Sequence, residues 1–160
     1  MHPLTGDEIR RSFINVSRSQ LKSMTLPALD QLDWDSRDFL GWRDPKAPSR
    51  GYLVVPREDG VVGVQLRAAN SSGPRRGTGL CNLCHSGQPA DAVVLFAARR
   101  GGAAGRQNNS IGTYICADLS CSLYIRGLIP LDLPQSETLG TEQRVDRLMR
   151  RVTAFVDRVA

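Results

Sequence analysis

The chain has no apolar run approaching the roughly 20 residues that a membrane-spanning helix needs. Its N-terminus, MHPLTGDEIRRSF, lacks the short apolar stretch of a secretory signal. Both absences lead us to expect a cytoplasmic protein with no membrane partner. Histidine is scarce: His2 falls in a terminal tail and His85 adjoins a cysteine, so a Ser or Cys nucleophile has no evident base. The glycine-rich stretch Gly101-Gly102-Ala103-Ala104-Gly105 lacks the strand-to-helix setting and the Lys-Ser/Thr ending of a phosphate loop. Asp30, Asp33, Asp35 and Asp38 read as a solvated turn and helix-capping region, not as a carboxylate site. Nothing at catalytic spacing remains, and the expectation is a binding protein, not an enzyme. Aromatic residues make up only 6%, which leaves few rings for stacking on nucleic-acid bases. Lysine is nearly absent, since 19 of the 21 basic residues are Arg. A coding bias is enough to explain such a preference, so it is not read as phosphate recognition.

What is present fits a globular protein. The 160 residues, 41% apolar and 23% charged, suit one domain, 1–160, that buries a core without disulfides, and a monomer is the expectation. The net charge of +5 is unevenly placed. Residues 1–60 balance, whereas residues 61–136 hold seven basic side chains against three acidic ones. Such a surplus suits an acidic partner, either nucleic acid or an acidic protein face, although solvated surface charge explains it equally well.

Thr5-Gly6-Asp7-Glu8 has the form of a capping box and opens a helix predicted to run to about Ser23, with Pro27 at or beyond its end. An acidic connector, 28–37, follows, anchored by Leu32 and Trp34. DFLGWRD (38–44) and GYLVVPRED (51–59) are separated by a Pro-rich loop, DPKAPSRG. Asp59-Gly60 signals a hairpin into VVGVQLRAA (61–69), whose alternation puts Val62, Val64 and Leu66 on one face. Residues 70–79 read as a polar loop, 92–98 as a buried strand, 99–109 as a mobile loop and 111–116 as the returning strand. A short helix follows Cys116. From Thr141, Val145, Leu148, Met149, Val152, Phe155, Val156 and Val159 recur at helical spacing as an amphipathic C-terminal helix. The order gives an α+β fold: a mainly antiparallel sheet with flanking N- and C-terminal helices.

The four cysteines form two tight pairs: Cys81-x2-Cys84, then Cys116-x4-Cys121 after 31 residues. Reducing compartments disfavour structural disulfides, and each spacing is that of structural zinc ligands. Two thiolates from one tight turn reach a single ion, and a second such turn completes a tetrahedron. Knuckle, hairpin and helix in that order are the layout of a treble clef, here about residues 78–127. A closed four-sulfur site leaves no position for water, so Zn2+ held by Cys81, Cys84, Cys116 and Cys121 would be structural. The other readings are two pairs of buried free thiols or a redox disulfide, the latter without the βαβ setting it usually has. His85 is a less suitable ligand because it adjoins Cys84.

With these residues in hand, the chain resembles the FusB-type elongation factor G-binding proteins, which share a C-terminal treble-clef zinc finger. DFLGWRD at 38–44, LCNLC at 80–84 followed by VVLF at 93–96, and GTYICADLSC at 112–121 carry the likeness, the last most specifically. It spans roughly residues 5–127 and, more loosely, the last helix. Well-known members carry a further N-terminal helical bundle, and this sequence starts about where their zinc-bearing domain begins. The resemblance implies a protein that grips elongation factor G on the ribosome and promotes its release, including when fusidic acid has stalled it. It also implies partner contacts from Phe96 and Tyr114, although Ile111 stands where the family has a basic residue. Arg99, Arg100 and Arg106 flank the 99–109 loop and would meet an acidic face or ribosomal RNA. Read from its residues alone, Phe96 lies in a continuous apolar run and suits a core position, and Tyr114 suits core and contact equally. The alternative function is a basic zinc module that binds ribosomal RNA or other nucleic acid.

Overall fold

The computed structural model describes residues 1–69 and 76–160. In chain order the elements are α1 (Gly6–Arg11), α2 (Arg18–Ser23), β1 (Leu40–Asp44), β2 (Ala47–Arg57), β3 (Gly60–Ala68), β4 (Thr78–Leu80), β5 (Gly87–Pro89), β6 (Val93–Arg99), α3 (Gly102–Arg106), β7 (Ser110–Cys116), α4 (Cys121–Ile125) and α5 (Thr141–Val159). Strands β1, β2, β3, β6 and β7 form one sheet in that order with every pairing antiparallel, and β4 and β5 form a separate ribbon. The α+β architecture expected from the sequence is the one observed. No helix among the described residues is long and apolar enough to cross a membrane.

Alternation along the strands sends residues to two cores. Leu53, Val55, Val64, Leu66, Phe96, Ala98 and Ile115 face one side, where they meet the four cysteines and the apolar stripe of α5. In that stripe Leu148, Val152, Phe155, Val156 and Val159 are all buried, as the helical spacing required. Leu40, Trp42, Tyr52 and Val54 face the other side and are covered by Ile9, Met24 and Trp34 from the N-terminal segment. That segment shields β1, β2 and part of β3. The same face of β6 and β7 carries Ala97, Gly112 and the half-exposed Tyr114.

Three sequence expectations need correction. The N-terminal helix is two helices. The Thr5 capping box is present, but α1 ends at Arg11 because Ser12 and Ile14 bond the backbone of Gly63 in β3 and Phe13 bridges it. Ser17 then opens α2 with a second capping box. The interruption depends on a partner fifty residues away, which helical periodicity does not contain. The Pro-rich loop shrinks to Pro45-Lys46, since β2 already starts at Ala47. Asp44 holds this turn by accepting from the Lys46 N–H at 2.9 Å. The mobile loop at 99–109 contains α3, fastened at its start by the Gly101 N–H donating to the Val159 carbonyl at 2.6 Å. The expected loop at 70–79 lies mostly outside the described residues, and its last part is β4.

Asp44 is the buried carboxylate of the second core. It accepts from the Thr25 N–H and the Tyr52 hydroxyl as well as from Lys46. Burial opposes its ionisation, but the donors from Thr25, Lys46 and Tyr52 outweigh burial and hold the carboxyl below its ordinary range. Burial, with help from Asp44, pushes the Tyr52 phenol up to about 12. A depressed carboxylate contributes stability at neutral pH that is lost as pH falls through its native value. A raised phenol contributes stability that is complete below about 10 and lost as pH rises through about 12. Asp44→Ala leaves the buried Tyr52 hydroxyl and the half-buried Thr25 N–H without their acceptor. It is expected to cost about 2–3 kcal/mol in urea unfolding and to flatten the acid limb of the stability profile.

Candidate functional site

The metal centre is assembled from three places in the chain. Cys81 and Cys84 sit in the turn between β4 and β5, Cys116 ends β7, and Cys121 starts α4. The first turn closes through the His85 N–H on the Cys81 carbonyl at 2.9 Å and the Cys84 N–H on the Cys81 sulfur at 3.4 Å. It docks on the sheet edge where the Asn82 N–H donates to the Tyr114 carbonyl at 2.8 Å. The second turn is held by Asp118, which accepts from the Ser120 N–H and the Tyr124 hydroxyl. His85 and Leu119 adopt left-handed φ values of 61° and 62°, one in each turn. Gly41, in the middle of the GW segment, makes room for the second turn. A Cβ there would lie 2.4 Å from the Leu119 carbonyl oxygen.

All four cysteines are buried, and their sulfurs lie within 4.8 Å of one another. Cys81 and Cys121 sulfurs are 3.7 Å apart, and Cys84 and Cys116 sulfurs 3.6 Å. These separations are far too long for disulfides. They match the edge of a tetrahedron with zinc–sulfur bonds of about 2.3 Å, which is about 3.8 Å. Proton sharing tells the same story. Hydrogen bonds led by Cys116 pull Cys81 towards the thiolate, while the cluster, again led by Cys116, pushes Cys121 well above the ordinary thiol range. A divalent cation is what lets all four ionise together. His85 is exposed and outside this cluster.

The sequence alone does not single out Gln88. Its side chain is 2% exposed, and its Nε2 donates to the Cys116 sulfur at 3.0 Å. No spacing rule marks such a residue, because it reaches the sulfur from β5 and not from a ligand pair. A donor to a metal-bound thiolate removes charge from the sulfur and fixes its direction. Gln88→Leu keeps the volume and removes the donor, so zinc transfer to a chromophoric chelator is expected to speed up about tenfold.

The residues expected to touch a partner are separated by the fold. Phe96 is fully buried, with the Arg43 guanidinium 5.0 Å from its ring centroid. Its strand register puts it on the core face, so it offers no contact area. Tyr114, on the opposite face, is 45% exposed, and Leu80, at the end of β4, is 50% exposed. Both line one groove of about 480 Å³ beside the metal turn, with Arg76, Asn82 and Val93. Leu80 belongs to LCNLC, but its exposure depends on the β4–β5 ribbon, which composition does not reveal. Arg99 pairs with Ser110, four residues from Tyr114 and hence about 13 Å along β7. Arg99, Arg100 and Arg106 lie together at that far end beside Ile14 and Asn15.

A knuckle, a hairpin and a helix around four sulfurs define a treble-clef zinc module on an antiparallel sheet. The family model described as "FBP C-terminal treble-clef zinc-finger" matches residues 8–159, and the chain belongs to this family. A search among curated proteins gave no match. The solved structure of the fusidic acid resistance protein FusC has a similar fold, with a TM-score of 0.50 and 17% sequence identity. The similarity covers 91% of this chain and 58% of that one, so this chain spans less than two thirds of that protein's length.

Proposed function

We propose that this protein recognises elongation factor G through a surface built on its zinc module, and that it promotes release of the factor from the ribosome by binding alone. The observation that carries this reading is the groove where Tyr114 and Leu80 stand half-exposed over the metal turn. Large apolar side chains held in the open by a rigid scaffold are what an interface centre requires. Zinc held by Cys81, Cys84, Cys116 and Cys121 fixes that scaffold and takes no part in chemistry. Arg99, Arg100 and Arg106 supply charge remote from the centre, where it steers association more than it holds the complex. Phe96 supports the β6–β7 hairpin from beneath. Family membership and the fold shared with a fusidic acid resistance protein support the reading, and drug tolerance follows if a stalled factor is freed. The site of action is then the cytoplasm.

The test is a release assay. Ribosomes carrying elongation factor G and fusidic acid are mixed with the zinc-loaded protein, and factor dissociation is followed by sedimentation. Dissociation is expected to accelerate several-fold. An unchanged rate at saturating protein would overturn the release step.

A further inference from the structure

Five arginines without carboxylate partners lie at one end of the sheet, beside Asn15 and α2, and three of them come from adjacent strands. Arg50 of β2 is the direct cross-strand partner of Arg67 in β3. Arg67 in turn pairs with Ala97 in β6, and Ala97 with Gly112 in β7. A single row therefore runs across four strands as Arg, Arg, Ala, Gly, all pointing to one face. Like charges directly opposite each other destabilise an antiparallel pair. Among the described residues only Arg11, Arg57, Arg126 and Arg147 form ion pairs, so Arg50, Arg67, Arg99, Arg100 and Arg106 share the lack of one with most other arginines, and it is their clustering that sets them apart. Residues 70–75 contain no Asp or Glu to serve as a partner.

Arg50, Arg67 and Arg99 line one polar hollow of about 390 Å³ together with Gln20, Ser49 and Gln65. Arg99 also lines the adjoining hollow with Arg100 and Arg106. No carboxylate lines either one. Ala97 and Gly112 keep the floor of the sheet low beside the arginines. An acidic protein partner would want an apolar anchor at the centre of its footprint. The hollow among Arg50, Arg67 and Arg99 offers guanidinium, amide and hydroxyl donors instead, the set that positions phosphodiester backbones, and the exposed large apolar side chain Ile14 stands at the margin, in the second hollow.

We propose that this face is a second binding site, separate from the Tyr114 groove, and that its ligand is the phosphate backbone of a polynucleotide. Successive phosphates engage the two hollows in turn, with Arg99 between them. Recognition is of the backbone, so affinity depends on charge and salt and little on base sequence.

The test uses the intact zinc-loaded protein and a fluorescent 12-nucleotide single strand of mixed sequence, as RNA and as DNA. Arg50→Gln/Arg67→Gln is compared with the unaltered chain across a salt series. The unaltered chain is expected to bind, with log affinity falling linearly against log salt. The variant is expected to bind about tenfold more weakly, with a slope shallower by about 1.4, the value for two single-strand phosphates that are no longer neutralised. Its thermal midpoint should be unchanged or higher, because a like-charge pair has been removed. Comparison of the two strands names the source: tighter binding of RNA assigns a ribonucleic partner, and equal binding assigns the backbone common to both. No binding of either strand by the unaltered chain would overturn the proposal. So would a folded variant with unchanged affinity and slope, or one that loses elongation factor G while keeping the strand. Binding of elongation factor G is measured on the same variant, so failure here leaves the factor-binding reading independently decided.

Discussion

Replacing Cys81 or Cys116 by Ser is expected to unfold the zinc half of this protein. A structural zinc site carries an apparent free energy of about 10–16 kcal/mol in small zinc peptides, comparable to the whole stability of a domain, about 5–15 kcal/mol. The four sulfurs are also part of the main core: Cys81, Cys84, Cys116 and Cys121 pack with Phe96, Ile115 and the α5 stripe. Losing the ion leaves a core of mutually repelling thiolates or a proton-sharing thiol cluster, and either loosens both turns, the second of which holds Leu119 against β1. Elemental analysis of the unaltered protein should find about one zinc per chain. Both serine variants should lose the metal together with their cooperative thermal transition. A zinc chelator should lower the midpoint of the unaltered protein in the same way. Full metal content and an unchanged transition in both variants would remove zinc from the account.

Tyr114→Ala is expected to weaken binding to elongation factor G by about thirtyfold or more. An aromatic side chain at an interface centre commonly costs about 2 kcal/mol on truncation, and each 1.4 kcal/mol is tenfold. Tyr114 is half-exposed on an edge strand, so its removal leaves the core intact. Leu80→Ala should weaken binding in the same direction. Phe96→Ala behaves differently. That ring is fully buried in the main core, so its truncation should cost about 3–5 kcal/mol of stability, and any loss of binding should track unfolding. Zinc content is measured in each variant, because a collapsed metal turn would imitate a missing interface residue. Unchanged affinity in zinc-loaded Tyr114→Ala would move the interface away from the groove.

The residues legible in the sequence were those whose meaning is local. The pairs Cys81/Cys84 and Cys116/Cys121 announce themselves by spacing, the stripe of α5 by its period, and the α1 cap by Thr5 and Glu8. What escaped depends on register. Phe96 and Tyr114 sit in similar apolar strands, and only the pairing Leu95–Tyr114 and Phe96–Thr113 puts them on opposite faces. The break after Arg11 needs Gly63 as a partner, and the arginine row needs β2, β3, β6 and β7 laid side by side. Gln88 finds the Cys116 sulfur from a strand three residues long, whose existence depends on the metal turn it flanks.

Recognition of elongation factor G is the claim on which the functional account stands. Titration calorimetry of the zinc-loaded protein against purified elongation factor G, free and ribosome-bound, tests it most directly. The account predicts saturable binding at one protein per factor, with the loss described above in Tyr114→Ala at unchanged zinc content. Absence of binding to the factor in both states, by protein shown to carry its zinc, would contradict it.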